Sequence, residues 1–244
     1  MPGLRIERDD AVLRVILARP ERRNAFDAGL IAELTEAFTD VGDARAIVLA
    51  GEGPAFCAGA DVEWQRSSID LSFEDNVEDA LRLYRMCETI DRCPAPVVGR
   101  IQGYALGGGS GLAACCDIAI AEPDAVFGFS EVKLGIIPAV ISPFVLTKTG
   151  DGAARRYFLT GERFGAEIAL RIGLVSGIGP DVDSVVSELL TAGPQGVREA
   201  KRLLRPLGAS GVELAEIAAR LRTSEEGQEG LRAFLERRKP TWID

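Results

Sequence analysis

An α/β fold with parallel strand pairing is what this chain predicts, from three observations. Short apolar runs at 46–50, 97–101 and 118–121 read as buried strands. Segments with helical periodicity separate them, giving a repeated strand, crossover, strand order. A glycine triplet, Gly107-Gly108-Gly109, then joins one strand directly to an apolar helical run.

Residues 4–8 and 12–18 alternate and then saturate with apolar side chains across the Asp9-Asp10 turn, the pattern of a hairpin leading into a buried strand. After Arg19-Pro20 and a charged loop, Asp27 is placed to cap a helix whose Leu30, Ile31, Leu34 and Phe38 share one face. The strand 46–50 and a turn at 51–54 follow. Between 75 and 93, Val77, Leu81, Tyr84, Cys87 and Ile90 recur at helical spacing until Pro94 and Pro96 end the helix. The strand 97–101, the glycine turn with its helix and the strand 118–121 complete a series for which parallel pairing and right-handed crossovers are expected. Beyond Pro143 the pattern is mostly helical, at 145–148, 153–159, 166–171, 182–191, 195–204 and 212–221. A last helix carries Thr223 and Glu226 at capping-box spacing, then Leu231, Phe234 and Leu235 on one face before Pro240, and is expected to dock.

With 244 residues, 47% of them hydrophobic, the chain is large enough for one sizeable core and an extension. Residues 1–10 are charged and lack the apolar centre of a secretory signal. The longest apolar stretch, 104–121, is broken by glycines, Ser110 and Asp117, against a membrane span. A cytoplasmic protein is expected. The net charge of −9 disfavours nucleic acid and anionic membranes as partners. Five cysteines, including the adjacent Cys115 and Cys116, read as reduced core thiols. Histidine is absent, which removes the commonest metal ligand and general base together, and with them a Ser-His-Asp hydrolase. No metal is expected.

Three places carry candidate chemistry. The glycine triplet follows a buried strand and opens a helix, where unpaired N–H groups and the positive dipole end favour a developing anion. It has neither the Gly-x-Gly-x-x-Gly spacing of a dinucleotide site nor the lysine of a phosphate loop, so an oxyanion site suits it better. Phe56-Cys57-Ala58-Gly59-Ala60-Asp61 offers a second small-residue turn, whose plainest reading is a helix start capped by Asp61. Backbone donors at Ala60 and Gly108 that converge on a thioester carbonyl would each contribute about 3–4 kcal/mol of barrier lowering. Glu131 is a carboxylate in an apolar region, where partial desolvation would raise its pKa and let it shuttle a proton near neutral pH. Two donor turns and one acid indicate enolate chemistry. Ser110 has no histidine to activate it and reads as turn packing.

Pro20-Glu21-Arg22-Arg23-Asn24-Ala25-Phe26, residues 56–61 and 103–117, and Ser130-Glu131-Val132-Lys133-Leu134-Gly135-Ile136-Ile137-Pro138 occur in an order that resembles the enoyl-CoA hydratase/isomerase (crotonase) superfamily. With 161–175 and Phe234-Leu235-Glu236-Arg237-Arg238-Lys239, the likeness covers nearly the whole chain. The resemblance implies a spiral of repeated ββα units over residues 1–190 and a C-terminal helical trimerisation region over 191–244, assembled as a homotrimer or a dimer of trimers. It implies coenzyme A as part of the substrate and no covalently bound cofactor. Carried over by position, the N–H groups of Ala60 and Gly108 form the oxyanion hole and Glu131 is the catalytic carboxylate. Arg23, Ala25, Ala58, Gly59, Asp61 and Gly107 form the substrate and CoA-binding wall, with Arg22 or Arg23 toward phosphate.

The chain departs from two-glutamate hydratases at Gly111, the place of their first acid. In those enzymes both carboxylates hold the added water, whereas a single glutamate is what Δ3,Δ2-enoyl-CoA isomerases show. Residues 111–117, 137–143 and 155–160 carry a narrower resemblance, to bacterial 3-methylglutaconyl-CoA and isohexenylglutaconyl-CoA hydratases of leucine and acyclic terpenoid breakdown, which also have glycine there. The reading that follows is a hydratase for a branched, carboxylated 2-enoyl-CoA, with water held by Glu131 and the substrate's own carboxylate. An isomerase and a noncatalytic acyl-CoA binder are the alternatives. Lys133, Lys148 and Arg155 are candidate partners of a substrate carboxylate by proximity to the motif alone.

Overall fold

A computed structural model describes residues 3–204 and 210–243. Its strands are β1 (Leu4–Asp9), β2 (Val12–Leu17), β3 (Ala46–Gly51), β4 (Ala55–Cys57), β5 (Val97–Ile101), β6 (Tyr104–Leu106), β7 (Ile118–Ala121), β8 (Val126–Gly128), β9 (Arg163–Gly165) and β10 (Gly177–Ile178). They form a six-stranded sheet in the order β1-β2-β3-β5-β7-β10 and a four-stranded sheet in the order β4-β6-β8-β9. The hairpin β1-β2 is antiparallel, β2, β3, β5 and β7 pair in parallel as predicted, and β10, a strand the sequence pattern did not mark, runs parallel to β7. In the smaller sheet β4, β6 and β8 are parallel and β9 runs antiparallel to β8.

The two sheets are linked by a repeat. Each of β3, β5 and β7 is followed within a few residues by β4, β6 or β8, so every unit places one strand in each sheet before its helix begins. Helices α1 (Ala28–Thr39), α2 (Val62–Ser67), α3 (Phe73–Asp91), α4 (Gly108–Cys115) and α5 (Ser142–Thr160) fall between or after these pairs. The Asp27 carboxylate caps α1 by accepting from Leu30 N–H, and Leu30, Ile31, Leu34 and Phe38 are the residues that the helix buries. Strand β3 is covered on both faces, which is why its sequence is continuously apolar. Ile47 and Leu49 join the main core with Phe38, Met86 and Ile90, while Ala46 and Val48 pack with Val182 and Val186 on the other side.

The remaining helices are α6 (Ala166–Arg171), α7 (Asp183–Thr191), α8 (Pro194–Leu203), α9 (Gly211–Thr223) and α10 (Glu225–Glu236). Lys201 of α8 is buried and ties this region to the spiral. Its Nζ lies 2.7 Å from Asp117 Oδ2 and donates to the Ala95 carbonyl at 3.0 Å. Arg45 donates to the carbonyls of Leu190, Ala192 and Trp242, which docks the tail.

Three sequence expectations are corrected. The face of the last helix expected to dock is exposed at Leu231, Phe234 and Leu235, whereas the separate helices expected at 145–148 and 153–159 hold, as the two halves of α5 parted where Gly150 takes φ 67° and ψ 170°. In α3, Val77 and Leu81 are exposed, and burial sets in only at Met86, Cys87 and Ile90. Thr223 and Glu226 form no capping box: Ser224 caps α10 and Thr223 Oγ1 donates back into α9. Glu226 instead accepts the N–H groups of Gln195 and Gly196 at the start of α8, and the capping box of this region is Ser210 with Glu213 on α9. Local spacing cannot tell a reciprocal cap from one made across space.

Among the described residues no helix is long and apolar enough to cross a membrane. The five cysteines are free and buried, and burial pushes the Cys57 and Cys116 thiols up to about 12, where they are unreactive.

Candidate active site

The smaller sheet brings the three candidate groups together. Strands β4, β6 and β8 are adjacent and parallel, so their C-terminal ends share one edge. Ala60 lies three residues past β4, Gly108 two past β6 and Glu131 three past β8. In open parallel sheets the crevice beyond the strands' carboxyl ends is the usual ligand site. Here it is a cleft of about 390 Å³ lined by Ala58, Gly59, Ala60, Gly107, Gly108 and Glu131 among others.

Peptide planarity fixes where the two amides point. The Gly59 carbonyl accepts from Phe26 N–H at 2.7 Å, and across the trans peptide the Ala60 N–H must point the opposite way. The Gly107 carbonyl accepts from Gly111 N–H at 3.1 Å inside α4, so the Gly108 N–H projects from the helix start. Neither N–H donates to another described residue. Their loops touch: a Cβ on Gly59 would stand 2.7 Å from the Leu106 carbonyl oxygen and 3.8 Å from Gly108 N. Gly59 also holds φ at +94°, open to glycine at no steric cost.

Glu131 enters from a short 3-10 turn after β8. Its carboxylate lies against Gly107, where an added Cβ would meet Oε1 at 2.9 Å, so the bare backbone at φ +53° makes room for the acid. Oε2 is buried with no hydrogen-bond partner, and burial raises the carboxyl pKa above its ordinary value. A desolvated carboxylate with one oxygen left without a partner, beside two unpaired amides, suits proton transfer at a carbon next to a carbonyl.

Arg23, Ala25 and Asp61 are not among the described residues that line the cleft, and Arg23 is exposed. The Arg23 carbonyl accepts from Ala58 N–H at 3.0 Å, and Ala25 is buried. Asp61 caps α2 by accepting from Glu63 and Trp64 and pairs with Arg22 at 3.1 Å. Burial works to raise the Asp61 carboxyl, but those two N–H groups and the Arg22 guanidinium outweigh it and hold the pKa below its usual value. Ser110 donates to the Ala105 carbonyl at 2.6 Å and is fully buried.

Other residues matter that sequence reasoning passed over. Buried Asn24, at φ +55°, accepts from Arg19 N–H and donates to the carbonyls of Glu52 and Ala55, which sets the loop that delivers Phe26 beneath Gly108. Its signal was an amide in a charged loop ending in Ala25-Phe26, both buried. Ile141 fills the space beside Gly111: a Cβ on Gly111 would stand 2.3 Å from Ile141 Cγ2. The position of the absent acid is therefore packed with hydrocarbon. Of Lys133, Lys148 and Arg155, none lines the cleft; Lys148 donates to the Asp117 carbonyl and Arg155 pairs with Asp151.

The chain is similar to known proteins along its length. A solved enoyl-CoA hydratase from Shewanella pealeana is 42% identical over 98% of this chain and 96% of its own, with a TM-score of 0.93. AtuE from Pseudomonas aeruginosa is 35% identical over 99% of this chain and all of its own, also with a TM-score of 0.93. A Mycobacterium bovis protein named "Probable enoyl-CoA hydratase echA6" is 41% identical over 84% of this chain and 83% of its own. The profile of the enoyl-CoA hydratase/isomerase family matches residues 7–244. With a ββα spiral that gathers two free amides and one buried acid at a single strand edge, and with these relatives along its length, the chain belongs to the enoyl-CoA hydratase/isomerase family.

Proposed function

We propose that this protein reversibly hydrates a branched, methylglutaconyl-like 2-enoyl-CoA thioester. The convergence of Ala60 N–H, Gly108 N–H and Glu131 beyond β4, β6 and β8 carries the reading. The thioester oxygen sits between the two amides. Glu131 takes a proton from water as the water oxygen bonds to Cβ, and the double-bond electrons move onto the thioester oxygen as an enolate. The enolate collapses as the protonated Glu131 delivers that proton to Cα. Coenzyme A enters as part of the substrate, and no covalently bound cofactor is invoked.

One observation favours a second reading. Glu131 is the single acidic residue among the described cleft-lining residues, and Ile141 occupies the place beside Gly111. A single base suffices for Δ3,Δ2-enoyl-CoA isomerisation, in which Glu131 removes a proton from Cα and returns it to Cγ. Exposed apolar residues on α9 and α10, Val212, Leu231, Phe234 and Leu235, support a homotrimer or dimer of trimers built through residues 191–244 on the spiral of 1–190. A cytoplasmic setting is part of the same proposal, with the five free, buried thiols in its support.

The test is turnover of 3-methylglutaconyl-CoA and crotonyl-CoA, followed by thioester absorbance, beside 3-enoyl-CoA isomerisation. Hydration of the methylglutaconyl substrate is expected, with kcat/KM falling about 10²- to 10⁴-fold in Glu131→Gln. Turnover unchanged in that variant removes Glu131 from the mechanism. Isomerisation without hydration selects the second reading, and tight acyl-CoA binding without either reaction selects a noncatalytic binder.

A further inference from the structure

The wall of the cleft around Glu131 is hydrocarbon at Leu134, Ile136, Ile137, Pro138, Val140 and Ile141. Arg163 interrupts it and is the single basic side chain among the described lining residues. Its place follows from topology. Because β9 runs antiparallel to β8, Arg163 at the start of β9 is paired with Gly128 at the end of β8, on the same edge from which Glu131 departs. Gly128 has no side chain, and the stem of Arg163 lies over it, 3.4 Å from where a Cβ would be.

The guanidinium is uncommitted. Most arginines of this acidic chain are held by carboxylates, as in Arg19 with Asp27, Arg22 with Asp61 and Arg100 with Glu122. Arg163 is exposed and forms neither an ion pair nor a side-chain hydrogen bond with a described residue. Its neighbour Glu162 is taken by Arg156 at 2.6 Å. Arg163 is not among the groups that set the Glu131 proton affinity, which burial raises and the residue's own backbone N–H lowers. A planar, permanently charged fork beside an apolar wall is suited to a carboxylate held by two parallel hydrogen bonds.

We propose that Arg163 determines specificity by binding a carboxylate carried on the acyl chain, so that the cleft selects a carboxylated acyl-CoA over an uncharged one of equal length. The inference rests on the acyl-CoA reading above and names the residue that reads the acyl group. The same guanidinium chemistry would also suit a phosphate of coenzyme A, and the ligands of the test separate the two.

Calorimetric titration of the full chain with glutaryl-CoA, pentanoyl-CoA and free CoA, as wild type, Arg163→Gln and Arg163→Lys, decides the matter without requiring turnover. Wild type is expected to bind glutaryl-CoA more tightly than pentanoyl-CoA. Arg163→Gln should weaken glutaryl-CoA about 10- to 100-fold and leave the other two ligands within about threefold, with Arg163→Lys in between. An equal loss of all three ligands would assign the guanidinium to phosphate and overturn the proposal, as would glutaryl-CoA binding unchanged in Arg163→Gln. Wild type that binds pentanoyl-CoA and CoA, with glutaryl-CoA no tighter, defeats the role of Arg163 but leaves the acyl-CoA reading intact. Failure of all three ligands to bind defeats both.

Discussion

Glu131 carries a cost that the rest of the cleft must bear. Burial favours its neutral form, so the native state keeps the proton to higher pH than the unfolded chain does. The stability tied to that proton is complete below the unfolded pKa and is lost as pH rises through the raised native value. Glu131→Gln is therefore expected to match wild type in Tm near pH 4 and to exceed it at pH 8, read by thermal melts across that range. A variant less stable than wild type at pH 8 would reveal a partner for the carboxylate. Gly111 yields a second expectation. Because Ile141 occupies the space its side chain would need, Gly111→Glu alone should cost about 1–3 kcal/mol in urea denaturation and gain no crotonyl-CoA hydration. Combined with Ile141→Ala it should recover stability and is the form in which a gain is expected. That glycine stands at 111 was plain in the sequence. That isoleucine from 30 residues downstream fills its place was not, since nothing in local spacing pairs the two.

Helix α8 is held by a buried ion pair between Lys201 and Asp117, reinforced by the Val97 N–H that donates to the same carboxylate oxygen at 2.7 Å. Removing one partner strands the other, so Lys201→Met should lower unfolding free energy by about 3 kcal/mol, toward the low end for such a change because Asp117 is partly exposed. Urea midpoints check it; a loss below about 0.5 kcal/mol would show that Asp117 is adequately solvated without lysine. Glu226→Ala should cost about 1 kcal/mol through the uncapped start of α8. Elements with a long period were readable from residues alone: α1 with its Asp27 cap and the strands β2, β3 and β5 fell where apolar spacing put them. The cap of α8 was not readable, because its acid comes from α10, 30 residues away in the chain.

The whole chain presents apolar side chains at its C-terminal helices that a lone protomer leaves in water. Phe234 and Leu235 on α10 are 79% and 78% exposed, too much for isolated side chains that serve no contact. In the proposed trimer these residues are covered, and Phe234→Glu with Leu235→Glu should convert it to monomers by light scattering after size exclusion. An unchanged mass would place the interface elsewhere.

The residues alone were enough for an α/β chain with a parallel sheet, for the glycine turn at Gly107-Gly108-Gly109 that opens a helix and for the family, since long apolar periods and glycine-rich spacing survive in one dimension. Tertiary structure alone made these into a site. Strands β4, β6 and β8 are three residues each, too short for a period of two to register, and they exist as strands because each is carried beside the next by the larger sheet. Only their alignment brings Ala60, Gly108 and Glu131 to one edge, and only the reversed direction of β9 adds Arg163.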